Sequence, residues 1–294
     1  MTWVNSIVHG IFLGGVYALL AAGLSLMFGV MRIINLAHGS LALVGAYAAY
    51  VFVEHTGLSA YAAIPPVVLG MFVVGYLLQR TMLERSLRAG VLVPLLTTFG
   101  LLVIIGNLLE RIFSPDPKSL NPGVLGTTTW QITGTLSISP FEVLELGVAV
   151  LVLGVLQLYL TRTRMGRELR ATSEDPDTAE LVGIDSRAVY ARAAAIAVGT
   201  AALAGIFFGM RSSFDPSSGP TELIYAFEAV VIGGLGSLWG TLVGGIVLGV
   251  AQTIGAQIDP QYFDLAGHLV FLVVLLVRAA IESGAIGSTR GVTA

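Results

Sequence analysis

The chain is written as long apolar runs separated by short polar breaks. The runs fall at 7–30, 36–53, 61–78, 91–113, 141–160, 188–210, 223–238, 241–257 and 265–277. Most approach the roughly 20 residues a helix needs to cross a bilayer. They are continuous rather than alternating at period two, which favours helices over a β-barrel. The pattern predicts an all-α polytopic membrane protein of about eight to nine transmembrane helices. Residues 1–294 then form a single membrane domain, with an external loop at 114–140 and an internal loop at 161–187.

Composition agrees with that reading: 55% of the 294 residues are apolar and only 11% charged, and the mean hydropathy is +0.86. Soluble domains average roughly 45–50% apolar and 25% charged. The arginines set the hand of the topology. If loops 80–90 and 161–187 face the cytoplasm, alternation puts twelve of the 15 Lys and Arg residues inside: Arg32, Arg80, Arg85, Arg88, Arg162, Arg164, Arg167, Arg170, Arg187, Arg192, Arg278 and Arg290. Only Arg111, Lys118 and Arg211 fall outside, so the positive-inside rule predicts an external N-terminus and a cytoplasmic C-terminus. The opening MTWVNS lacks the basic start of a cleavable signal, so the first helix is expected to be retained.

The external loop has three prolines near its start and then a Thr-rich alternating run, which predicts a small hairpin. In the internal loop, Asp175 suits an N-cap, Pro176 a first helical position and Asp177 the electropositive start of a helix, with Gly183 just past its end. They mark a helix of about two turns, 176–182, too short to be stable alone. Its apolar residues, Ala179, Leu181 and Val182 with Ile184 beyond, need a surface. That surface is either the chain's own membrane domain or a groove on another protein.

Two stretches interrupt the apolar pattern. MRIINLAHGS, residues 31–40, places Arg32, Asn35, His38 and Gly39 inside an apolar region. In the second half, EAVVIGGLGSLWG, residues 228–240, carries Glu228 and the breaks Gly233, Gly234 and Gly236. Paired interruptions of this kind point to broken helices lining a transport path, and non-helical backbone at depth survives only inside protein or beside a water-filled cavity. The alternative for 31–40 is a tight turn at the membrane interface, with Arg32 snorkelling. Glycines four residues apart, at 236, 240 and 244, 245 and 249, 205 and 209, and 10 and 14, predict close helix contacts.

Other chemistries are excluded by what is missing. The single lysine, Lys118, rules out a Walker A site, so the chain is not an ATPase in itself. His9, His38, His55 and His268 are scattered and no H-E-x-x-H occurs, against a zinc protease, and there is no cysteine. A net charge of −3 without a basic run gives no reason to expect nucleic acid. Glu110, Glu142 and Glu145 lie near external helix ends and read as interfacial. Glu228 is the carboxylate an ion-coupled secondary carrier would use.

Three blocks then carry a resemblance. AAGLSLMFGVMRIINLAHGSLALVGAYAAY (21–50), GRELRATSEDPDTAELVGIDSRAVYARAAAIAVGTAALAG (166–205) and EAVVIGGLGSLWGTLVGGIVLGV (228–250) resemble the branched-chain amino acid ABC transporter permeases of LivH type. Ribose-type sugar permeases share a version of the same fold. The resemblance implies a non-catalytic import subunit without cofactor in the bacterial inner membrane. Its implied partners are a homologous second permease, two cytoplasmic ATP-binding subunits and an external solute-binding protein. It implies that 176–182 is the coupling helix, with Asp175 and Gly183 as caps around Pro176, Ala179, Leu181 and Val182. Asn35, His38, Gly39, Glu228, Gly233, Gly234 and Gly236 would line the path. Branched-chain amino acids lead as solute, with urea, short amides or other small solutes as alternatives. The tail LVRAAIESGAIGSTRG departs from the Arg-Pro and Gly-Leu-Phe-Gly ending of many relatives, and the last helix is expected to be short, about 13–17 residues, against the usual span.

Overall fold

The computed structural model describes residues 3–90, 92–133 and 136–289. Arg290 of the internal arginine set, and positions 1, 2, 91, 134 and 135 of the expected segments, lie outside the described residues.

Helix α1 (Trp3–Met31) is a central mast, largely buried along its length. After it come α2 (His38–Thr56) and α3 (Ala60–Leu78). The latter continues through a π turn, Gln79–Leu83, into α4 (Glu84–Arg88). Helix α5 (Val93–Phe113) leads to a loop holding one turn, α6 (Val124–Thr127), and an antiparallel hairpin of β1 (Trp130–Thr133) and β2 (Leu136–Ile138). The expected hairpin is therefore present. Then follow α7 (Pro140–Arg162), α8 (Arg164–Glu174), α9 (Pro176–Leu181), α10 (Ser186–Arg211), α11 (Gly219–Gly233), α12 (Leu238–Ile258) and α13 (Tyr262–Thr289).

Among the described residues, seven helices are long and apolar enough to cross a membrane. The two expected crossings that fall short are α2 and α11. Their place explains why. The first residue of α2, His38, donates from Nε2 to the carbonyl of Leu20, 2.9 Å away and near the middle of α1. Helix α11 begins against it: an added Cβ on Gly219 would meet Ser40, and one on Gly39 would meet Gly219 and Leu223. From that shared point α2 runs to the hairpin end, where Tyr47 stacks on Phe113. Helix α11 runs the other way, to where Arg278 Nη2 donates to the Ile232 carbonyl at 3.0 Å. The two helices start at one point inside the bundle and run to its opposite ends.

The two ends of the bundle differ in chemistry. At the hairpin end, Lys118 and Phe214 form a backbone bridge and Arg211 joins Glu142 and Glu145. At the other end Arg187 pairs with Glu84 and Arg192 with Glu168, over a cluster of Leu26, Met27, Val30, Leu83, Leu169 and Val189. Arg80 of the π turn, Arg85 of α4 and the arginines of α8 and the start of α10 lie at this second end. Glycine does the close work expected of it: Gly10 and Gly14 of α1 lie on Val250 and Ile246 of α12, and Gly205 of α10 on Ala42 of α2.

Two expectations need correction. Glu145 is not interfacial: it is 1% exposed, and its Oε2 accepts from Arg211 Nη1 at 2.6 Å, because Arg211 ends α10 against the start of α7. The last helix is not short. It starts at Tyr262, before the apolar run, where Asp264 accepts from Tyr225 at 2.6 Å and His268 pairs with Glu228, so its polar first turns are tied to α11.

Candidate functional site

The break between α1 and α2 is non-helical backbone, exposed at Arg32 and buried at Asn35 and Ala37, where amides need partners within the protein. The sequence supplies them locally. Asn35 Oδ1 accepts from Ala37 N at 3.0 Å, and the Asn35 carbonyl accepts from His38 N at 3.1 Å. Thr98 of α5 adds its hydroxyl, accepting from Leu36 N at 3.2 Å. Asn35 and His38 are 1% and 0% exposed, which places them in the interior of the protein. Because a carbonyl can only accept, His38 carries its proton on Nε2, leaving Nδ1 without a partner. Arg32, by contrast, is exposed and held at φ 53°, where the chain leaves α1.

This segment forms a closed waist. Leu36, bonded to the Thr98 hydroxyl, and Gly39, seated directly on the Gly219 backbone, bring the start of α2, α5 and α11 together. Only glycine permits that approach at position 39. A cavity lies on either side along α5. Toward the hairpin end is one of about 470 Å³, bordered by Ser40, Asn107, Glu110, Asp215, Ser217 and Pro220. Toward the arginine-rich end is one of about 620 Å³, bordered by Phe28, Arg32, Ile33, Leu87, Leu92 and Pro94. Both are open hollows, here called the two chambers.

The residues singled out from sequence do not all meet there. Asn35, His38 and Gly39 form the waist. Gly233, Gly234 and Gly236 make the turn between α11 and α12 at the arginine-rich end, with Gly234 and Gly236 at φ 98° and 82° and Gly236 beside Gly29. Glu228 borders neither chamber. It is 2% exposed and takes His268 Nδ1 at 2.5 Å. Thr98 and Gly219 were missed. Thr98 sits in an apolar run, and the Ser-Gly-Pro start of α11 was a readable helix signal four residues before the expected boundary.

The short helix α9 forms as its caps require. The Asp175 carboxylate accepts from the Thr178 hydroxyl at 2.5 Å and from the amides of Asp177 and Thr178 at 3.1 and 3.2 Å. The Thr178 hydroxyl bond, followed by the backbone bonds, holds Asp175 below the usual carboxylate range. Val182 is the C-cap and Gly183, at φ 86°, ends the helix. Ala179 is buried on the chain's own surface, whereas Leu181 and Val182 are 87% and 74% exposed. One residue of the helix thus seats it on the chain's own bundle, and two large aliphatics face away from it.

Comparison with known proteins adds an independent line. A family model described as branched-chain amino acid transport system, permease component, matches residues 6–278. The chain is 32% identical to the high-affinity branched-chain amino acid transport system permease protein BraD of Pseudomonas aeruginosa, over 94% of each. It is 26% identical to the corresponding LivH protein of Escherichia coli, over 94% of this chain and 93% of the relative. It is also 26% identical to LivM of the same organism, over 88% of this chain and 66% of the relative. No solved structure matches the chain.

Proposed function

The chain belongs to the branched-chain amino acid transport system permease family, and from that premise we propose that it is the membrane-spanning import subunit of an ATP-driven importer of branched-chain amino acids. The observation that carries the reading is the pair of chambers on α5, divided by the waist at Asn35, His38, Gly39, Thr98 and Gly219. Alternating access follows if the waist opens while one chamber closes. Partners move such an equilibrium only by their differential affinity for its two arrangements, so the permease must hold them within a few kcal/mol of each other.

Two ATP-binding subunits would dock at the arginine-rich end. Helix α9 is the coupling element, offering Leu181 and Val182 outward while Asp175, Pro176 and Gly183 fix its ends and Ala179 seats it. A homologous second permease would complete the path on the open side of α5, whose Phe99, Val103, Ile104 and Leu108 are exposed. An external solute-binding protein would deliver the solute at the hairpin end. In this assignment the hairpin end is external, the arginine-rich end cytoplasmic and the membrane the bacterial inner one, as the positive-inside rule favours. Urea or short amides are the alternative solutes within this reading.

The test is co-purification in mild detergent of the tagged chain, wild type against Asp175→Ala with Pro176→Gly. Wild type should bring a second permease and an ATPase, and the variant should lose the ATPase alone. A wild-type chain that purifies alone, or a variant that keeps its ATPase, sinks the coupling assignment.

A further inference from the structure

A third cavity, of about 300 Å³, lies apart from the two chambers, at the arginine-rich end where α1, α7, α8 and the start of α12 converge. Its polar walls are incomplete. Ser25, 1% exposed, carries a hydroxyl with no hydrogen-bond partner. Among the described residues, Gln157 has no partner for its amide, and Arg170 no ion pair for its guanidinium; both border the same space. Thr161 and Ser173, also on the wall, spend their protons on the carbonyls of Gln157 and Arg170 and keep oxygen lone pairs. No carboxylate borders it. A buried hydroxyl left unpaired costs about 1–3 kcal/mol, so Ser25 calls for an acceptor in this space, and the half-buried Gln157 amide and the exposed Arg170 guanidinium are further donors on the same wall.

We propose that this cavity binds a phosphate group. The chemistry is specific: a guanidinium pairs two phosphate oxygens at once, and an amide and a hydroxyl supply further donors to the third. The group is either the headgroup phosphate of a phospholipid in the adjoining leaflet or a free phosphate. Its consequence is mechanical. Arg170 and Ser173 belong to α8, which leads directly into α9, whereas Ser25, Gln157 and Leu238 belong to the membrane helices. A bound phosphate ties α8 to the bundle and fixes where α9 stands.

The experiment uses the full chain purified in mild detergent, as wild type, Arg170→Gln and Arg170→Lys. Arg170 is exposed, so the substitutions leave folding intact, which melting in phosphate-free buffer verifies. Native mass spectrometry of wild type should show one retained phospholipid. Arg170→Gln should weaken its retention by roughly tenfold or more, and Arg170→Lys, a point charge without the fork, should fall between. If no lipid is retained but inorganic phosphate, and not chloride at equal ionic strength, raises the melting temperature of wild type and not of Arg170→Gln, the free anion is the occupant. Equal retention by wild type and Arg170→Gln, with no phosphate-specific shift, means the cavity holds water and overturns the proposal.

Discussion

The waist makes a sharp prediction at Gly39. Replacing it with alanine adds a single methyl group, and a Cβ built there meets the Gly219 carbonyl and lies 2.6 Å from the Leu223 nitrogen. Both are backbone atoms of α11, so neither can rotate away as a side chain would. Overpacking of this kind costs about 1–3 kcal/mol. The cost falls on the arrangement in which α2 and α11 touch and is relieved when they part, so it shifts the closed-to-open balance by about 5- to 150-fold. In proteoliposomes holding the assembled importer, Gly39→Ala should raise passive solute efflux in the absence of ATP and lower ATP-driven accumulation. Gly70→Ala on α3, where no atom lies within 4 Å of an added Cβ, is the matched control and should behave as wild type. A Gly39→Ala importer that accumulates solute normally and does not leak would refute the idea that this contact closes the path.

Other consequences are equally direct. Arg211→Met strands the buried Glu145 carboxylate and should destabilise the chain by about 3–5 kcal/mol, with much of it recovered by adding Glu145→Gln; equal melting of wild type and the single variant would show that the pair carries no weight. Leu181→Asn with Val182→Asn should leave the isolated chain within about 0.5 kcal/mol, since both side chains are already exposed, yet abolish ATPase co-purification; retention of the ATPase would remove α9 from the interface. Glu228→Gln keeps a hydrogen bond to His268, so ATP-driven uptake should persist, whereas collapse of uptake in a folded protein would restore the ion-coupled carrier reading. The Asp175 cap depends on an ionised carboxylate whose folded pKa is depressed, so its contribution is complete above the ordinary carboxylate range and is lost only as pH falls through that lowered value. ATPase retention should therefore be flat from neutral to mildly acid pH, and a loss beginning near neutrality would assign the control to another group.

Helix existence was legible because apolar runs near bilayer length have few other solutions in lipid. Helix α9 was legible for a different reason: Asp175, Pro176 and Gly183 act within a few residues of one another, and local capping needs no knowledge of the rest of the fold. The waist was only half readable. Asn35 and His38 announced themselves as polar residues in an apolar stretch, but their partners, Leu20, Thr98 and Gly219, are set by tertiary packing and carry no periodic signal. Glu145 was misplaced for the same cause, since nothing in α7 reports that Arg211 arrives at its side. The last helix was underestimated because Asp264 and His268 look like solvent-facing residues until Tyr225 and Glu228 are known to face them.

The meeting of α2 with α11 also sets a timetable for biogenesis. The two glycines that touch, Gly39 and Gly219, stand about 180 positions apart in the chain, so their contact becomes available only after α10 has been made. At a translation rate of roughly 5–20 residues per second, about 10 to 40 s pass between emergence of the first and arrival of the second. During that interval the start of α2 has its local Asn35 bond, and later Thr98, but no neighbour against Gly39. Helix α2 therefore enters the membrane before the surface that receives it exists. A nascent chain stalled before α11 should hold the 32–40 segment open to proteases or insertion chaperones, and completion of the second half should close it.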